Sequence, residues 1–217
     1  MKRVFVVFIV FLLGAGSIIY LNLDWQKKRK LPVFQPKDIN SELVDSSLHG
    51  RGRGINGGDH EISEFKLTDQ LNQAVSKKLL KNKIVVANFF FVSCPSICPK
   101  MTSNLNTIHQ QYSGDSSFLI LSHTVWPEVD NATLLFSYAE KYKVNHNSWR
   151  FLTGNKEELY RLARQDYLVV PDVNDPNFQH GSNADFIHTE NVVLLDPKQR
   201  IRGFYDGTDS ESMNQLI

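Results

Sequence analysis

The chain contains 217 residues, which suffices for one well-cored domain with an anchor and a connecting segment but not for two full-sized domains. Its 24 Lys and Arg residues are balanced by 23 Asp and Glu residues, which excludes a strongly basic protein that grips nucleic acid by its overall charge. We therefore expect a single active centre and a small-molecule or protein partner.

The N-terminal segment contains a long apolar run. Val4 to Leu21 read VFVVFIVFLLGAGSIIYL, an uncharged stretch of the length that crosses a bilayer as a helix. The run exceeds the usual hydrophobic region of a signal peptide, and no clear A-x-A cleavage site follows it. We expect residues 1–23 to form a transmembrane anchor rather than a cleaved signal peptide. The lack of a cysteine before Cys94 argues against a lipid anchor.

Residues 24–58 are predicted to form a polar linker. They are punctuated by Pro32, Pro36 and most of the glycine group in GRGRGINGGDH, and no helical or strand period is sustained. Arg51 and Arg53 are expected to be solvated. The folded domain is then predicted at residues 59–217.

Strands and helices alternate in this domain. Lys83 to Phe91 (KIVVANFFF) is dense in β-branched and aromatic residues, which is typical of a strand buried on both faces. A helical pattern follows from Pro95 to Tyr112, with Met101, Leu105 and Ile108 at spacings of four and three. The other predicted elements are strands at Phe65–Thr68, Phe118–Leu121, Trp149–Leu152, Thr189–Leu195 and Arg200–Tyr205, helices at Asn131–Tyr142 and Asn155–Arg164, and a short last helix with a capping box of Thr208 and Glu211. The alternation implies a parallel sheet with helical crossovers.

The only two cysteines lie in F-V-S-C-P-S-I-C-P-K, directly after the strongest predicted strand. Pro95 suits the first position of a helix, where exposed backbone donors and the helix dipole stabilise anions. We therefore expect depressed pKa values for both Cys94 and Cys98. Four residues apart, they are also predicted to share one face, close enough for a disulfide or for shared binding of one metal ion. A pair of inert buried cysteines is the competing interpretation, and a disulfide across so short a loop would constrain the unfolded chain little.

Two thiolates leave a metal ion with open coordination positions, and seven histidines are available to complete a site. His123 follows a predicted strand at the same sheet edge and is a candidate to support the ligands. His188 directly precedes a predicted strand, but its position alone favours a structural role. The remaining histidines are expected to be solvent-facing or structural: His49, His60, His109, His146 and His180.

The stretch VVANFFFVSCPSICPKM, followed later by His188 in FIHTENVVLLDP, closely resembles the SCO (SenC) family, whose members are associated with building the copper centre of cytochrome c oxidase. The resemblance covers roughly Asp59 to the carboxyl end, together with the anchor. Its signature is C-x-x-x-C-P with a distant histidine just before a strand. Cys94, Cys98, Pro99 and His188 match that signature.

The resemblance implies a thioredoxin-like α/β domain, with a central sheet flanked by helices, preceded by one transmembrane helix. It also implies copper, as Cu(I) or Cu(II), bound by Cys94, Cys98 and His188, and a copper-accepting oxidase subunit or another copper protein as partner. The family places its domain outside the cytoplasm, here on the periplasmic side. Counting the basic residues on either side of the apolar run mildly favours the opposite orientation.

One departure from the family pattern lies between the two halves of the signature. Where the family commonly has V-D-P-E, this chain has Val125-Trp126-Pro127-Glu128. A role for that family acid is therefore not carried over to this chain. Glu128 and Asp130 are expected to be solvated residues that precede a helix.

Two thiolates and an imidazole suit Cu(I), and the nitrogen also allows Cu(II); zinc could occupy the same ligands. The alternative function is a thiol–disulfide oxidoreductase that reduces an acceptor's cysteines through the Cys94–Cys98 pair. Thioredoxin-type catalysis normally uses C-x-x-C, and a peroxiredoxin-type peroxidase would need Thr where Phe91 stands. A copper metallochaperone is thus favoured over the enzyme, although both roles can coexist and copper-dependent signalling stays open.

Overall fold

A computed structural model of the chain describes Gly14 and residues 31–39, 59–169, 187 and 189–216. The chain divides into two compact units, Met1–Pro32 and Val33–Ile217. Of the first unit only Gly14, Leu31 and Pro32 are described, so the predicted anchor at residues 1–23 lies, Gly14 apart, outside the described residues. Within the described ranges no helix has the length and apolarity needed to cross a membrane.

The second unit is built on one seven-stranded mixed sheet with the order β2-β1-β5-β4-β3-β6-β7. The strands are β1 (Lys66–Asp69), β2 (Ala74–Ser76), β3 (Ile84–Phe90), β4 (Phe118–Thr124), β5 (Trp149–Thr153), β6 (Asn191–Leu195) and β7 (Ile201–Asp206). The three central strands β3, β4 and β5 are parallel to one another. The outer strands pair antiparallel, through the β1–β2 and β6–β7 hairpins. The parallel sheet predicted from the alternation is therefore confirmed for the centre only.

Among the described residues, four α-helices connect and cover the strands: α1 (Ile97–Tyr112), α2 (Ala132–Lys141), α3 (Lys156–Arg161) and α4 (Ser210–Leu216). The helix predicted at Asn155–Arg164 is α-helical only from Lys156 to Arg161. It continues as a π-helical turn at Leu162–Asp166. Short 3₁₀ turns lie at Pro36–Asp38 and Lys77–Leu80. The predicted fold class, an α/β sheet flanked by helices, is confirmed for this unit.

Strand β3 separates two hydrophobic layers. Because side chains alternate along a strand, Ala87 and Phe89 face one layer and Val86 and Phe90 face the other. The helical stripe predicted on α1 packs in the second layer, where Met101 and other residues of the helix are fully buried. Hydrophobic side chains therefore cover the centre of the sheet on both faces, and they hold β3 in place up to its carboxyl end.

A buried polar chain joins the three parallel strands beneath the carboxyl end of β3. The indole Nε1 of Trp149 donates to Ser122 Oγ at 2.9 Å, and Ser122 Oγ donates to Asn88 Oδ1 at 2.6 Å. All three residues are fully buried. Since a buried polar group without a partner is costly, this chain fixes the relative positions of β5, β4 and β3.

Ser122→Ala should lower the free energy of unfolding by about 1–3 kcal/mol, because it leaves the Trp149 indole N–H buried without an acceptor. Urea unfolding of the full chain, followed by circular dichroism, measures the change. Ser137→Ala is the matched control, since Ser137 is exposed on α2, and it should stay within about 0.5 kcal/mol of the native chain. Equal effects of the two substitutions would contradict the structural importance of the hydrogen bonds from Trp149 through Ser122 to Asn88.

Candidate metal centre

The two cysteines lie where β3 passes into α1. Residues 91–96 form this connection, which we call the Cys94 loop. The backbone N–H of Cys94 donates to the carbonyl of Phe91 at 3.2 Å, so the chain turns sharply as soon as β3 ends. The turn brings Cys94 back over the second hydrophobic layer, which it shares with Cys98.

Helix α1 begins at Ile97, two residues later than predicted, with Ser96 as its N-cap. Pro95 therefore precedes the helix, and Pro99 occupies its first turn, where a missing N–H is tolerated. The first N–H groups of a helix need acceptors from outside it, but the Ser96 side chain supplies none. Instead, the Cys98 N–H donates to Cys94 Sγ at 3.4 Å. The sulfur of Cys94 thus takes the place of a capping oxygen.

This position stabilises the anionic form of Cys94. Burial alone would raise the pKa of its thiol, but hydrogen bonds from the Cys98 thiol and from the backbone N–H groups of Ser96 and Cys98 outweigh it, and the pKa is lowered from 9.0. The positive end of the α1 dipole acts in the same direction. Cys94 therefore loses its proton more readily than an ordinary cysteine.

The prediction of a depressed pKa is wrong for Cys98. Burial, followed by the hydrogen bond that its thiol makes to Cys94, raises the pKa of Cys98 from 9.0 to about 12. The physical reason is that one buried site does not hold two adjacent negative charges. Of the two cysteines, Cys98 is therefore the one that keeps its proton to higher pH.

The surroundings of Cys98 are rigid. Its carbonyl accepts a hydrogen bond from Thr102 Oγ1 at 2.8 Å, and that hydroxyl lies 2.9 Å from the hydroxyl of Tyr138 on α2. Cys98 and Cys94 expose only 3% and 7% of their surface. Both are free thiols in this structure. Such a pair can form a disulfide or bind one soft metal ion together.

His188, the third predicted ligand, lies outside the described residues. Both of its neighbours in the chain, Ile187 and Thr189, are described and buried. Thr189 Oγ1 accepts the N–H of Asn191 at 3.1 Å, which fixes the start of β6. Among the residues with described positions, no cluster of three or more His, Cys, Asp or Glu side chains could hold a metal ion.

His123 does not support the cysteines as predicted. It is the sixth residue of β4 and faces the opposite hydrophobic layer, where its ring stacks on Phe89 with centroids 4.9 Å apart. It is fully buried, and burial lowers its pKa to about 4. His123 is therefore a neutral residue of the core.

The other described histidines have structural partners, as predicted. His60 Nε2 lies 2.8 Å from the carbonyl of Asp166, and His109 Nε2 lies 3.0 Å from Ser148 Oγ. His146 contacts Glu140 at 3.1 Å on the surface. His49 and His180 lie outside the described residues.

Asp130 is a residue beside the site whose burial the sequence did not reveal. It is fully buried rather than solvated, and its Oδ2 accepts the N–H of Val92 at 3.1 Å and the hydroxyl of Thr124 at 2.5 Å. Burial raises the pKa of Asp130, although both hydrogen bonds oppose that rise. Glu128 does match the expectation, since it is on the surface and pairs with Lys156 at 3.4 Å. Trp126, at the place of the family acid, packs edge-on against Phe91.

The chain is similar to a set of known proteins that share this fold. A family model described as SCO1/SenC matches residues 53–216. The SCO1 protein homolog of Bacillus subtilis is 26% identical over 161 residues, which cover 73% of this chain and 80% of that protein.

Two solved structures give the same fold. The structure of BsSco, described as having a disulfide switch and as a member of the Sco family of cytochrome c oxidase assembly proteins, superposes with a TM-score of 0.59 at 24% identity. The match covers 72% of this chain and 89% of BsSco. The structure of yeast Sco1 with copper bound superposes with a TM-score of 0.55 at 23% identity, over 72% of this chain and 86% of that one.

The asymmetry of the two thiols predicts which one reacts first. Near neutral pH, iodoacetamide should modify Cys94 before Cys98 in the reduced chain, because the thiolate is the nucleophile and Cys98 keeps its proton until the pH approaches about 12. Mass spectrometry of the labelled peptides measures the order. Cys98→Ala removes a donor to Cys94 and should shift the alkylation midpoint of Cys94 to higher pH. Faster labelling of Cys98 would contradict the assignment of the thiolate.

The burial of His123 predicts a loss of stability in acid. In the unfolded chain its pKa is near 6.5, whereas in the fold it is about 4, so only the unfolded chain takes up this proton between those values. The stabilisation is complete above about pH 6.5, and up to about 3 kcal/mol is lost as the pH falls towards 4. Urea unfolding of His123→Phe at several pH values should show a smaller pH slope than the native chain. An unchanged slope would contradict the assignment.

Proposed function

The chain belongs to the SCO1/SenC family, and from that membership we propose that it is a membrane-anchored copper metallochaperone. In this proposal, copper is bound through Cys94, Cys98 and His188 and is delivered to the copper centre of cytochrome c oxidase. The observation that carries the proposal is the cysteine pair at the start of α1, where the Cys98 N–H donates to Cys94 Sγ and the pKa of Cys94 is lowered.

The donor set suits Cu(I). Thiolates are soft ligands that favour Cu(I), and the lowered pKa of Cys94 makes its proton easier to lose than that of an ordinary cysteine. Cys98 has to release its proton as it binds the metal, so copper binding weakens as the pH falls. Oxidation of the pair to a disulfide consumes both sulfur donors, releases two protons and two electrons to an oxidant, and prevents binding.

The register of β6 supports His188 as the third ligand. Strands β3 and β6 pair antiparallel with Val85 opposite Leu195 and Ala87 opposite Val193. Counted onward from these pairs, the register brings Thr189 level with Phe91, the first residue of the Cys94 loop. His188 immediately precedes Thr189 in the chain, and a neutral imidazole is a common copper ligand.

The partner and the location are part of the same proposal. Yeast Sco1 is described with copper bound, and BsSco as a cytochrome c oxidase assembly protein, so we infer that an oxidase subunit or another copper protein accepts the metal. The apolar run from Val4 to Leu21 supports an anchor at residues 1–23, and residues 24–58 would link it to the domain. The domain would then face the periplasmic side.

A thiol–disulfide oxidoreductase is the second candidate, because a low-pKa thiol beside a protonated thiol is the arrangement of a nucleophile and a resolving cysteine. In that reaction, the Cys94 thiolate attacks an acceptor disulfide and releases one acceptor thiol. Cys98 then attacks the Cys94 sulfur, which forms the Cys94–Cys98 disulfide and releases the second acceptor thiol. Cys98 must lose its proton both to attack in this second step and to bind copper, so its raised pKa does not favour one function over the other. Copper binding is the better-supported function because the chain belongs to the SCO1/SenC family and yeast Sco1, which has the same fold, is described with copper bound.

His188→Ala should weaken Cu(I) binding by at least about a hundredfold, because two sulfur donors alone leave the ion with an open position. Cys94→Ser or Cys98→Ser should abolish tight binding. Competition between the reduced full chain and a chromophoric Cu(I) chelator measures the affinities. His146→Ala is the matched control, since His146 lies on the surface beside Glu140, and it should bind copper as the native chain does.

The same variants distinguish the two candidate functions. His188→Ala should leave the thiol reactivity of Cys94 intact, so a reductase would keep its activity in this variant and a copper carrier would lose its cargo. Unchanged copper affinity in His188→Ala would contradict the ligand assignment. A reduced chain that bound no copper but reduced peptide disulfides repeatedly would establish the oxidoreductase instead.

A further inference from the structure

We propose that Asp130 is a positioning residue that holds the Cys94 loop in its metal-binding conformation. The proposal rests on the proposed function for its link to copper, but its structural part concerns only contacts within the chain. Asp130 is not assigned as a metal ligand. It acts through the backbone that carries Cys94.

The first argument is the place where the sheet pairing ends. Strands β3 and β4 pair in parallel up to Phe90 and Thr124, and Val125 N–H then donates to the Phe90 carbonyl at 2.8 Å. Beyond that point the two chains diverge, so the Val92 N–H lies past the last strand pair. It is bound instead by Asp130 Oδ2 at 3.1 Å. The Asp130 carboxylate therefore supplies to Val92 the acceptor that a neighbouring strand would otherwise supply. Val92 lies two residues before Cys94.

The second argument is that Asp130 is itself held in place. The backbone N–H groups of Val129 and Asp130 both donate to the Trp126 carbonyl, at 3.0 and 2.9 Å, and the Trp126 N–H donates to Thr124 Oγ1 at 3.0 Å. The Thr124 hydroxyl in turn donates to Asp130 Oδ2 at 2.5 Å. These bonds close residues 124–130 into a compact turn. Because the Asp130 carboxylate is fixed relative to β4, its hydrogen bond to Val92 also fixes the Cys94 loop relative to β4.

The third argument is the burial of the carboxylate. Asp130 exposes none of its surface, and its Oδ1 has no hydrogen-bond partner within the described part of the chain. A residue that served only to end a turn would be expected to keep this oxygen in water. Its negative charge also lies near the site, since it adds to the effects of burial and of Cys94 that raise the pKa of Cys98.

The test compares substitutions that remove different parts of the contact. Asp130→Ala removes the acceptor for both Val92 and Thr124. Asp130→Asn keeps an oxygen that can accept both hydrogen bonds, and it replaces the charged carboxylate by a neutral amide whose NH₂ group takes the place of Oδ1. Thr124→Val keeps the carboxylate but removes the hydroxyl that orients it, with little change in side-chain volume.

Two matched controls are available in the chain. Asp115 also accepts an N–H and a hydroxyl, both from Ser117 at 2.8 and 2.7 Å, but it lies exposed after the far end of α1. Asp115→Ala therefore removes the same kinds of bond at a distance from the site. Glu128→Gln removes a surface charge from the same turn.

The first measurement needs no metal. Amide hydrogen exchange of Val92 in the reduced full chain should accelerate at least about tenfold in Asp130→Ala, and by less in Thr124→Val. It should stay unchanged in the two controls and return close to the native rate in Asp130→Asn. Native protection of Val92 in both Asp130→Ala and Thr124→Val would overturn the proposal. If Asp130→Ala does not fold, native protection in Thr124→Val alone overturns it.

The second measurement reads the geometry of the copper site. The Cu(II)–thiolate charge-transfer band should weaken or shift in Asp130→Ala at saturating copper, and Cu(I) affinity should fall at least about tenfold, with recovery in Asp130→Asn. An unchanged band and affinity in Asp130→Ala would overturn the link to copper. If the native chain binds no copper, or Cys94→Ser keeps it, the proposed function fails by itself, and the exchange of Val92 still decides the role of Asp130.

Discussion

The site depends on one constraint, the need of a helix start for acceptors. The first N–H groups of α1 have no partners inside the helix, and the N-cap Ser96 does not supply one with its side chain. Cys94 Sγ meets that need through the Cys98 N–H. The same contact orients the Cys94 side chain and helps to lower the pKa of its thiol, whereas burial and the neighbouring Cys94 raise the pKa of Cys98. Position, charge and reactivity of the two sulfurs therefore have a common cause.

Two sets of hydrogen bonds near the carboxyl end of β3 hold this contact in place. Beneath it, the polar chain from Trp149 to Asn88 aligns the parallel strands, so that β3 and β4 end level with each other. Beyond the strand ends, Asp130 connects the turn after β4 to the Cys94 loop. Cys94 thus lies on a short turn whose ends are fixed by a sheet and a helix, and Cys98 lies in the first turn of that helix. A site built this way is preorganised, because little backbone has to be ordered when a ligand binds.

Much of the fold could be predicted from the sequence, because local patterns determine it. The apolar run before Phe90 and the stripe of Met101, Leu105 and Ile108 predicted β3 and α1, and both are confirmed. The antiparallel pairing of β3 with β6 was not predictable, because it joins segments that are about a hundred residues apart in the chain.

The site was predictable only in part, for a similar reason. The cysteine pair follows from its position after a strand, but the opposite pKa shifts of Cys94 and Cys98 follow from burial and mutual contact, which spacing does not encode. Asp130 looked like a solvated residue because the next residue, Asn131, is the N-cap of α2 and gives the segment an ordinary polar character. Its burial arises from the turn of residues 124–130, in which the N–H groups of Val129 and Asp130 donate to the Trp126 carbonyl. His188 is singled out from the other histidines by the family signature alone.

The rigidity of the site also bears on how copper could leave it. Cys98 is buried within α1, and its backbone is tied to Thr102 and through it to Tyr138 on α2. Cys94 stands on a loop that a few hydrogen bonds hold, and it exposes slightly more surface. In a ligand exchange, an acceptor thiol replaces one protein ligand at a time, so the ligand whose release disturbs the least structure leaves first. In the proposed function, Cys94 rather than Cys98 would therefore be the ligand that an acceptor thiol replaces first.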